Sequence, residues 1–211
     1  LAIVMENGEM FVEEYTLVAI ADYVLGKTPG PAVSNLSSSR ALSDIAARHR
    51  CPYVASAVGE VNVTSLMRHI RAVIGGEGNG GVIYPELHYG RDALVGVALF
   101  LSNLAHKKMK VSALKKTYPE YHIAKNRIEL SDKSLIDKIL NRLQEIYADQ
   151  DVNTVDGVKI SFEDKREWVH LRKSNTEPII RIYSEAKTVE RAVALGNEVI
   201  EVARGIINEG A

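Results

Sequence analysis

The chain has 211 residues, enough for one large domain or two small ones, and its composition of 46% hydrophobic and 25% charged residues is typical of a soluble globular protein. Its formal net charge of −1 argues against a general nucleic-acid binder, which needs an excess of basic residues. The single cysteine, Cys51, excludes an internal disulfide framework and any metal site built from several cysteines.

The hydropathy pattern and the N-terminus bear on the location of the protein. No apolar run approaches the length of a membrane span, and the N-terminus lacks the basic-then-apolar order of a signal peptide. Together with the single cysteine, this predicts a cytoplasmic protein without a membrane partner, and the net charge of −1 predicts no nucleic-acid partner. The chain starts at Leu1 inside an apolar run, so we expect it to be a piece of a longer protein.

The first half of the chain alternates short apolar runs with segments of helical periodicity. Asn7-Gly8 between two apolar runs predicts a hairpin over residues 1–12, and Asp92 is a candidate helix N-cap. Strands are predicted at residues 32–36, 53–55, 72–74 and 82–84, and helices at residues 16–25, 37–48 (capped within Ser37 to Ser39), 61–70 and 93–104. This alternation indicates a βαβ domain with a mostly parallel sheet over residues 1–120, ending in a lysine-rich linker at about 105–121.

A glycine-rich stretch, residues 75–81, follows the predicted third strand of this domain. Ligands of such sheets usually bind at the carboxyl ends of the strands, and glycines allow the backbone to approach a ligand closely. Glu77 and Asn79 are the only side chains in the stretch with polar reach. A carboxylate and an amide suit neighbouring hydroxyl groups, so a sugar site is one interpretation. A glycine-rich turn with a solvated Glu77 is the other, and on the residues alone neither is favoured.

The second half of the chain has a different order of elements. Strands are predicted at residues 121–130, around Asp156-Gly157, and at 168–171 and 179–183, and helices at residues 131–146 (capped by Ser131) and from Thr188 onward. The order of one strand, one helix, three strands and a last helix predicts an α+β domain over residues 121–211. We expect its sheet to be antiparallel, with two helices on one face.

The loop between the last two predicted strands, residues 172–178, reads Arg-Lys-Ser-Asn-Thr-Glu-Pro and is rich in hydrogen-bond donors. The guanidinium of Arg172 matches two phosphate oxygens. Further donors for the same anion are Ser174, Asn175, Thr176 and, less directly, Arg181 on the following strand. A phosphate monoester is therefore a candidate ligand. The alternative is an ordinary polar hairpin in which Arg172 pairs with Glu177 and only stiffens the loop.

Two motifs carry a family resemblance. The loop sequence, followed by Ile-Ile-Arg, resembles the phosphate-binding loop of the α-D-phosphohexomutases, which include phosphoglucomutase, phosphomannomutase and phosphoglucosamine mutase. Gly-Glu-Gly-Asn-Gly-Gly at residues 76–81 is similar to the sugar-binding loop of the family, Gly-Glu-x-Ser-Gly-His. In that match Glu77 stands at the family's glutamate, Asn79 at its serine and Gly81 at its histidine. Further departures are Ser37, with Arg40 nearby, where many relatives have a cation, and Glu60 after the Val-Gly turn.

The resemblance spans nearly the whole chain but only the third and fourth domains of the family. It implies that Glu77 and Asn79 bind the sugar and that the Arg172 loop binds its phosphate. The phosphorylated serine of Thr-Ala-Ser-His-Asn-Pro and the Asp-rich magnesium loop would then lie in missing N-terminal domains, so this chain has no catalytic residue and no metal ligand.

The whole protein would interconvert hexose 1-phosphate and hexose 6-phosphate through a sugar 1,6-bisphosphate, with Mg²⁺ bound outside this chain. The departures leave open whether glucose, mannose or glucosamine phosphate is preferred. Two other classes of function also remain open: a non-catalytic phosphosugar- or anion-binding module, and a domain that binds a protein or nucleic-acid partner.

Overall fold

The structure is a computed structural model and describes residues 1–130, 134–174 and 177–208. The chain divides into two compact units, Leu1–Glu120 and Tyr121–Ala211. Each unit is built on its own sheet. Within the described ranges, every helix is too short or too polar to traverse a lipid bilayer.

The first unit is an α/β unit with a four-stranded sheet. Its helices are α1 (Glu13–Lys27), α2 (Ala41–Arg48), α3 (Glu60–Ile70), α4 (Ala93–Lys107) and α5 (Val111–Lys115), and its strands are β1 (Ala32–Asn35), β2 (Tyr53–Ser56), β3 (Ile74–Glu77) and β4 (Gly81–Ile83). The strand order is β2-β1-β3-β4, in which β1 pairs in parallel with β2 and β3, and β4 is antiparallel to β3. The predicted βαβ domain with a mostly parallel sheet is confirmed.

Local sequence signals explain where several of these elements begin and end. Asp92 is the N-cap of α4, and its Oδ1 accepts hydrogen bonds from the backbone N–H groups of Leu94 (2.8 Å) and Val95 (3.1 Å). The predicted N-terminal hairpin is present only as a tight turn with one antiparallel bridge, between Val4 and Met10. Gly8 makes that turn possible because its φ of 84° lies in the left-handed region.

Two predictions for the first unit are wrong. The third strand was expected at residues 72–74, but β3 begins at Ile74 and runs into the glycines. The serine triplet does not supply the N-cap of α2, because Arg40 holds that position. Ser39 Oγ does accept a hydrogen bond from Ala41 N at 3.2 Å, but the other serines are used to fix the loop ahead of the helix.

The second unit is an α+β unit with a five-stranded sheet. Its strands are β5 (His122–Glu129), β6 (Asp151–Asn153), β7 (Val158–Phe162), β8 (Glu167–Lys173) and β9 (Ile179–Ala186), and its helices are α6 (Ser134–Ile146) and α7 (Val189–Asn208). The order is β5-β9-β8-β7-β6, with every neighbouring pair antiparallel. The predicted fold is confirmed, with one more strand than expected, since Asp156 and Gly157 form the turn between β6 and β7. The predicted helix cap Ser131 lies outside the described residues.

Both helices of the second unit pack on the same face of its sheet. Alternate residues of the strands share one apolar core with them, including Val169, Leu171, Ile180 and Ile182 from the sheet, Ile139 and Leu143 from α6, and Val199 and Ala203 from α7. Because successive side chains of a strand point to opposite faces, the residues between these belong to the other face. We call it the opposite face; it carries Trp168, His170 and Arg172 on β8 and Arg181 and Tyr183 on β9.

Candidate functional site

The glycine-rich stretch of the first unit forms a tight hairpin of β3 and β4. A Cβ added to Gly75 would lie 2.5 Å from the sulfur of Met67, and one added to Gly76 would clash with the carbonyl group of Gly81. These glycines therefore let a helix and a neighbouring strand pack closely against β3. β3 includes Gly75 and Gly76 and β4 begins at Gly81, so only residues 78–80 form the turn.

Glu77, the last residue of β3, has a fixed and nearly buried carboxylate. It is 6% exposed, and its Oε1 accepts a hydrogen bond of 2.9 Å from Asn35 Nδ2. Asn35 is held in turn, because its Oδ1 accepts hydrogen bonds from Ser37 N and Ser38 Oγ, both at 3.0 Å. The structure therefore places Glu77 in an ordered polar network at the carboxyl end of its strand, and the alternative of a solvated glutamate in a turn does not hold.

Asn79 lies at the exposed tip of the hairpin. Its Oδ1 accepts a hydrogen bond of 3.1 Å from Gly81 N, which closes the turn. Since this carbonyl oxygen is used within the turn, the side-chain N–H groups are what Asn79 offers to a ligand. Asn79 and Glu77 thus differ in character: Asn79 is an exposed donor, and Glu77 is a sheltered acceptor.

The turn is fastened to the loop between β1 and α2. Gly78 N donates to Ser38 Oγ at 3.0 Å, and a Cβ at Gly78 would clash with the carboxylate of Glu14. The same carboxylate accepts a hydrogen bond of 3.0 Å from Ser39 N. The serines that do not cap α2 therefore position the hairpin beside the carboxyl ends of β1 and β3, where ligands of such sheets bind.

Arg91 joins this group, although no sequence pattern singles it out. Its Nε donates to Glu60 Oε2 at 2.8 Å, and its backbone N–H donates to Glu60 Oε1 at 3.0 Å. These hydrogen bonds, first from the backbone and then from the guanidinium, hold the pKa of Glu60 below its ordinary value. The Nη1 atom of Arg91 lies 3.4 Å from Glu77 Oε2. Arg91 therefore links Glu77 to Glu60, the residue noted after the Val-Gly turn.

Arg91 also explains the glycine at position 81. A Cβ there would lie 2.7 Å from Arg91 Cδ and 3.0 Å from Asn79 Oδ1. The space into which a side chain at position 81 would extend is therefore filled by the stem of Arg91. In the sequence Arg91 stands directly before Asp92, the N-cap of α4, and that position does not predict a contact with Glu77.

In the second unit, the candidate phosphate loop is shorter than predicted. β8 continues through Arg172, paired with Arg181, and through Lys173, paired with Ile180. Both residues therefore belong to the strand, and β9 begins at Ile179. The ladder extends because Ser174 N still donates to Ile179 O at 3.0 Å beyond the last strand pair. The predicted ligands Asn175 and Thr176 lie outside the described residues.

Arg172 and Arg181 lie directly opposite each other at the base of this loop. The Nε of Arg172 is buried and has no hydrogen-bond partner in the part of the chain that the structure describes. Glu177, the expected alternative partner of Arg172, is instead 3.9 Å from Arg181 Nη2, and both of these side chains are well exposed. The structure thus places two arginines in register on neighbouring strands, and two guanidinium groups suit a dianionic phosphate.

His170 contributes no positive charge beside these arginines at neutral pH. Its burial, together with the nearby Lys159 and Arg172, lowers the pKa of its imidazole to about 4. Its Nε2 donates to Asp156 O at 2.6 Å. Among the described residues, no three histidine, cysteine, aspartate or glutamate side chains are grouped to hold a metal ion.

Both units match known sequence families. The family profile described as phosphoglucomutase/phosphomannomutase, alpha/beta/alpha domain III matches residues 13–121. The profile described as the phosphoglucomutase/phosphomannomutase C-terminal domain matches residues 127–202. Each profile therefore covers one of the two compact units.

Individual proteins show the same similarity. The chain is 35% identical over 204 residues to a phosphoglucomutase/phosphomannomutase of Thermococcus kodakarensis, a match that covers 94% of this chain and 44% of that protein. It is 33% identical over 175 residues to a phosphoglucosamine/phosphogalactosamine mutase of Sulfurisphaera tokodaii, covering 82% of this chain and 38% of that protein. The chain thus spans less than half the length of these relatives.

A solved structure shows the same fold. A phosphoglucomutase/phosphomannomutase family protein from Burkholderia thailandensis superimposes with a TM-score of 0.77 at 22% identity, over 96% of this chain and 44% of that one. Matched along both units by profile, sequence and fold, the chain belongs to the phosphoglucomutase/phosphomannomutase family and carries its domain III and its C-terminal domain.

Proposed function

We propose that this chain is the sugar- and phosphate-binding half of a cytoplasmic phosphohexomutase. The whole protein interconverts hexose 1-phosphate and hexose 6-phosphate through a sugar 1,6-bisphosphate. The family membership and the names of the relatives support this proposal. The phosphorylated serine and the Asp-rich Mg²⁺ loop belong to N-terminal domains that are the partners of this chain.

In this proposal residues 1–120 bind the sugar. The carboxylate of Glu77 accepts hydrogen bonds from sugar hydroxyl groups, and the side-chain amide of Asn79 donates to a hydroxyl oxygen. The bond from Asn35 to Glu77 at 2.9 Å supports the assignment, because it fixes the carboxylate before a ligand arrives. Pre-positioning of this kind lowers the entropy that binding would otherwise have to remove.

Residues 121–211 bind the phosphate group that is not reacting. Arg172 provides the main contact, Arg181 a second guanidinium, and Ser174, Asn175 and Thr176 the remaining donors. The single observation that carries this assignment is the buried Nε of Arg172, which lacks a hydrogen-bond partner among the described residues. A buried N–H group without a partner is unfavourable, so a phosphate oxygen that accepts from it would gain more than the same contact at an exposed site.

The contribution of the chain to catalysis is positioning. Phosphoryl transfer depends on alignment and on stabilisation of charge rather than on covalent chemistry by many residues. Mg²⁺, bound by the missing domains, supplies the charge stabilisation at the transferring phosphoryl group. The residues of this chain hold the sugar and the distal phosphate, so that either the 1-oxygen or the 6-oxygen is presented to the reacting centre.

Calorimetric titration of the chain with glucose 6-phosphate and with unphosphorylated glucose tests the phosphate site. Because a hydrogen bond to a charged group contributes about 1.5–3 kcal/mol, Arg172→Ala should weaken binding of the phosphosugar about ten- to a hundredfold. Arg172→Lys should restore only part of the affinity, since an ammonium group cannot present two parallel donors.

The matched control is Arg142→Ala, which removes an exposed arginine on α6 that pairs with Glu145 at 2.6 Å. It should leave the affinity for glucose 6-phosphate unchanged. If Arg172→Ala weakens binding of both ligands equally, or of neither, the loop is not the phosphate site and residues 121–211 do not have the role proposed for them.

A further inference from the structure

A third arginine extends the pair at the base of the phosphate loop. Arg181 on β9 is paired with Arg172 on β8 and, on its other side, with Arg127 on β5. Residues directly opposite in neighbouring strands have their Cβ atoms about 4.5–5.5 Å apart and point to the same face. The three side chains therefore form one line across three strands, here called the arginine row: Arg127, Arg181 and Arg172.

The arginine row lies on the opposite face of the sheet, away from α6 and α7. Its neighbours along the strands, Ile128, Leu171 and Ile180, point into the apolar core with the helices. Lys125 and Lys159 flank the row on the same face, and their Nζ atoms lie 5.4 Å and 4.0 Å from the ring centroids of Tyr183 and Trp168. Two lysines therefore accompany the row on this face, together with Glu129 and with Glu185, whose Oε1 accepts a hydrogen bond of 2.6 Å from Trp168 Nε1.

Packing within the second unit does not account for the row. Like charges placed directly opposite each other in a sheet are destabilising. The nearest carboxylates offset this only weakly: Glu129 pairs with Arg127 at 2.9 Å and Glu177 with Arg181 at 3.9 Å, and all four side chains are 40% or more exposed. Exposed pairs of this kind contribute only about 0–1 kcal/mol.

A simpler explanation covers only part of the observation. β5 is an edge strand, and charged side chains on edge strands prevent unwanted pairing with other chains. That explains one exposed arginine at the edge. It does not explain why Arg127 is in register with two inner arginines, one of which keeps a buried Nε without a hydrogen-bond partner among the described residues.

We propose that Arg127 contacts a second phosphate group, so that the arginine row binds both phosphates of a bisphosphorylated sugar. Two strand spacings separate Arg127 from Arg172, about 10 Å between backbones, and their flexible side chains can close part of that distance. A ligand with one phosphate occupies the Arg172 end, and a ligand with two phosphates also reaches Arg127. The second contact keeps a bisphosphorylated intermediate bound while it changes orientation. This inference rests on the proposed function for the Arg172 end of the row.

Affinities of the chain for glucose 1,6-bisphosphate and for glucose 6-phosphate, measured by calorimetry, test the inference. Arg127→Gln should weaken binding of the bisphosphate about tenfold, since one charge-assisted contact is lost, and should change binding of the monophosphate by less than about twofold. Arg142→Gln is the control. It removes the same charge from α6, which covers the apolar face of the sheet and not the opposite face that carries the arginine row. It should affect neither ligand.

The outcomes separate this inference from the proposed function. If Arg172→Ala weakens binding of both ligands while Arg127→Gln changes neither, the phosphate site stands and the second contact is refuted. Equal weakening of both ligands by Arg127→Gln would mean general electrostatic attraction, which also overturns the inference. If Arg172→Ala has no effect on either ligand, or the wild-type chain binds neither, the proposed phosphate site fails and the inference fails with it.

Discussion

Asp22 on α1 holds together a buried polar cluster, and its replacement should measurably destabilise the first unit. Asp22 is 6% exposed; its Oδ1 is 2.8 Å from His49 Nε2, and its Oδ2 is 2.5 Å from Lys107 Nζ. Tyr118 Oη donates to Oδ2 at 3.2 Å. The carboxylate therefore joins α1 to the end of α2, to α4 and to the segment that follows α5.

The size of the effect follows from these contacts. Asp22→Asn keeps the shape but removes the charge, so the hydrogen bonds lose their ionic character and Lys107 faces a neutral amide. Hydrogen bonds to charged groups contribute about 1.5–3 kcal/mol each. Lys107 and His49 are 29% and 23% exposed, so water replaces part of what they lose. We expect a loss of about 2–3 kcal/mol in the free energy of unfolding, less than the value for a fully buried pair.

The loss should depend on pH in a defined direction. Burial by itself raises the pKa of Asp22, but the hydrogen bonds from Lys107 and His49 outweigh it, and the pKa lies below its ordinary value. A carboxylate with a lower pKa in the folded state stabilises the protein above its unfolded pKa of about 3.9, and this stabilisation disappears as the pH falls through the folded pKa.

Urea unfolding at pH 7 and near pH 3 measures this, with the exposed Asp164→Asn as a control. The difference between wild type and Asp22→Asn should be full at pH 7 and should shrink below about pH 4. A difference that stays constant between the two pH values, or that is absent at pH 7, would refute the electrostatic explanation.

Two further predictions concern function. Glu77→Gln should weaken binding of hexose phosphate about tenfold. It should change the free energy of unfolding by less than about 1.5 kcal/mol, because the amide oxygen still accepts from Asn35. Glu60→Gln, which weakens the contacts to Arg91, should weaken binding less. Calorimetry and urea unfolding of both variants check this, and a sharp loss of stability with unchanged affinity would assign Glu77 a purely structural role. The chain alone should form no product in a coupled assay with glucose 1-phosphate, Mg²⁺ and glucose 1,6-bisphosphate, because the serine motif and the metal loop are absent from its sequence. Turnover at ~1–1000 per second would show that catalysis does not need them.

Elements with a strong local signal were predictable from the sequence. Asp92 lies directly before a long apolar segment, and it caps α4 as expected. The hairpin of β8 and β9 follows from two apolar runs around a polar loop, although the strand extends through Arg172 because the hydrogen-bond ladder continues. In these places the local preference and the tertiary structure agree.

Features that depend on contacts between distant residues were not predictable. Gly75 and Gly76 have low strand propensity, so propensity does not predict that they lie in β3. Neighbouring backbone and Met67 leave no space for a side chain at either position, so only glycine fits there. Arg91 is held at the site by a hydrogen bond to Glu60, which is 31 positions away in sequence. The Asp22 cluster likewise joins residues separated by up to 96 positions. No sequence window contains such pairs, so periodicity cannot reveal them.

The close packing around the glycines of β3 has a consequence for anyone who wishes to change the sugar preference of such a protein. Substitutions at Gly75, Gly76 or Gly78 would meet Met67, the backbone of Gly81 or the carboxylate of Glu14, so random libraries at these positions should yield mostly misfolded variants. Asn79 and Arg91 are exposed, and Arg91 Nη1 lies 3.4 Å from the carboxylate of Glu77. If the proposed sugar site is right, diversification of Arg91 offers a route to altered selectivity that leaves the glycines and the turn of the hairpin intact, whereas changes at Asn79 also remove its bond to Gly81 N.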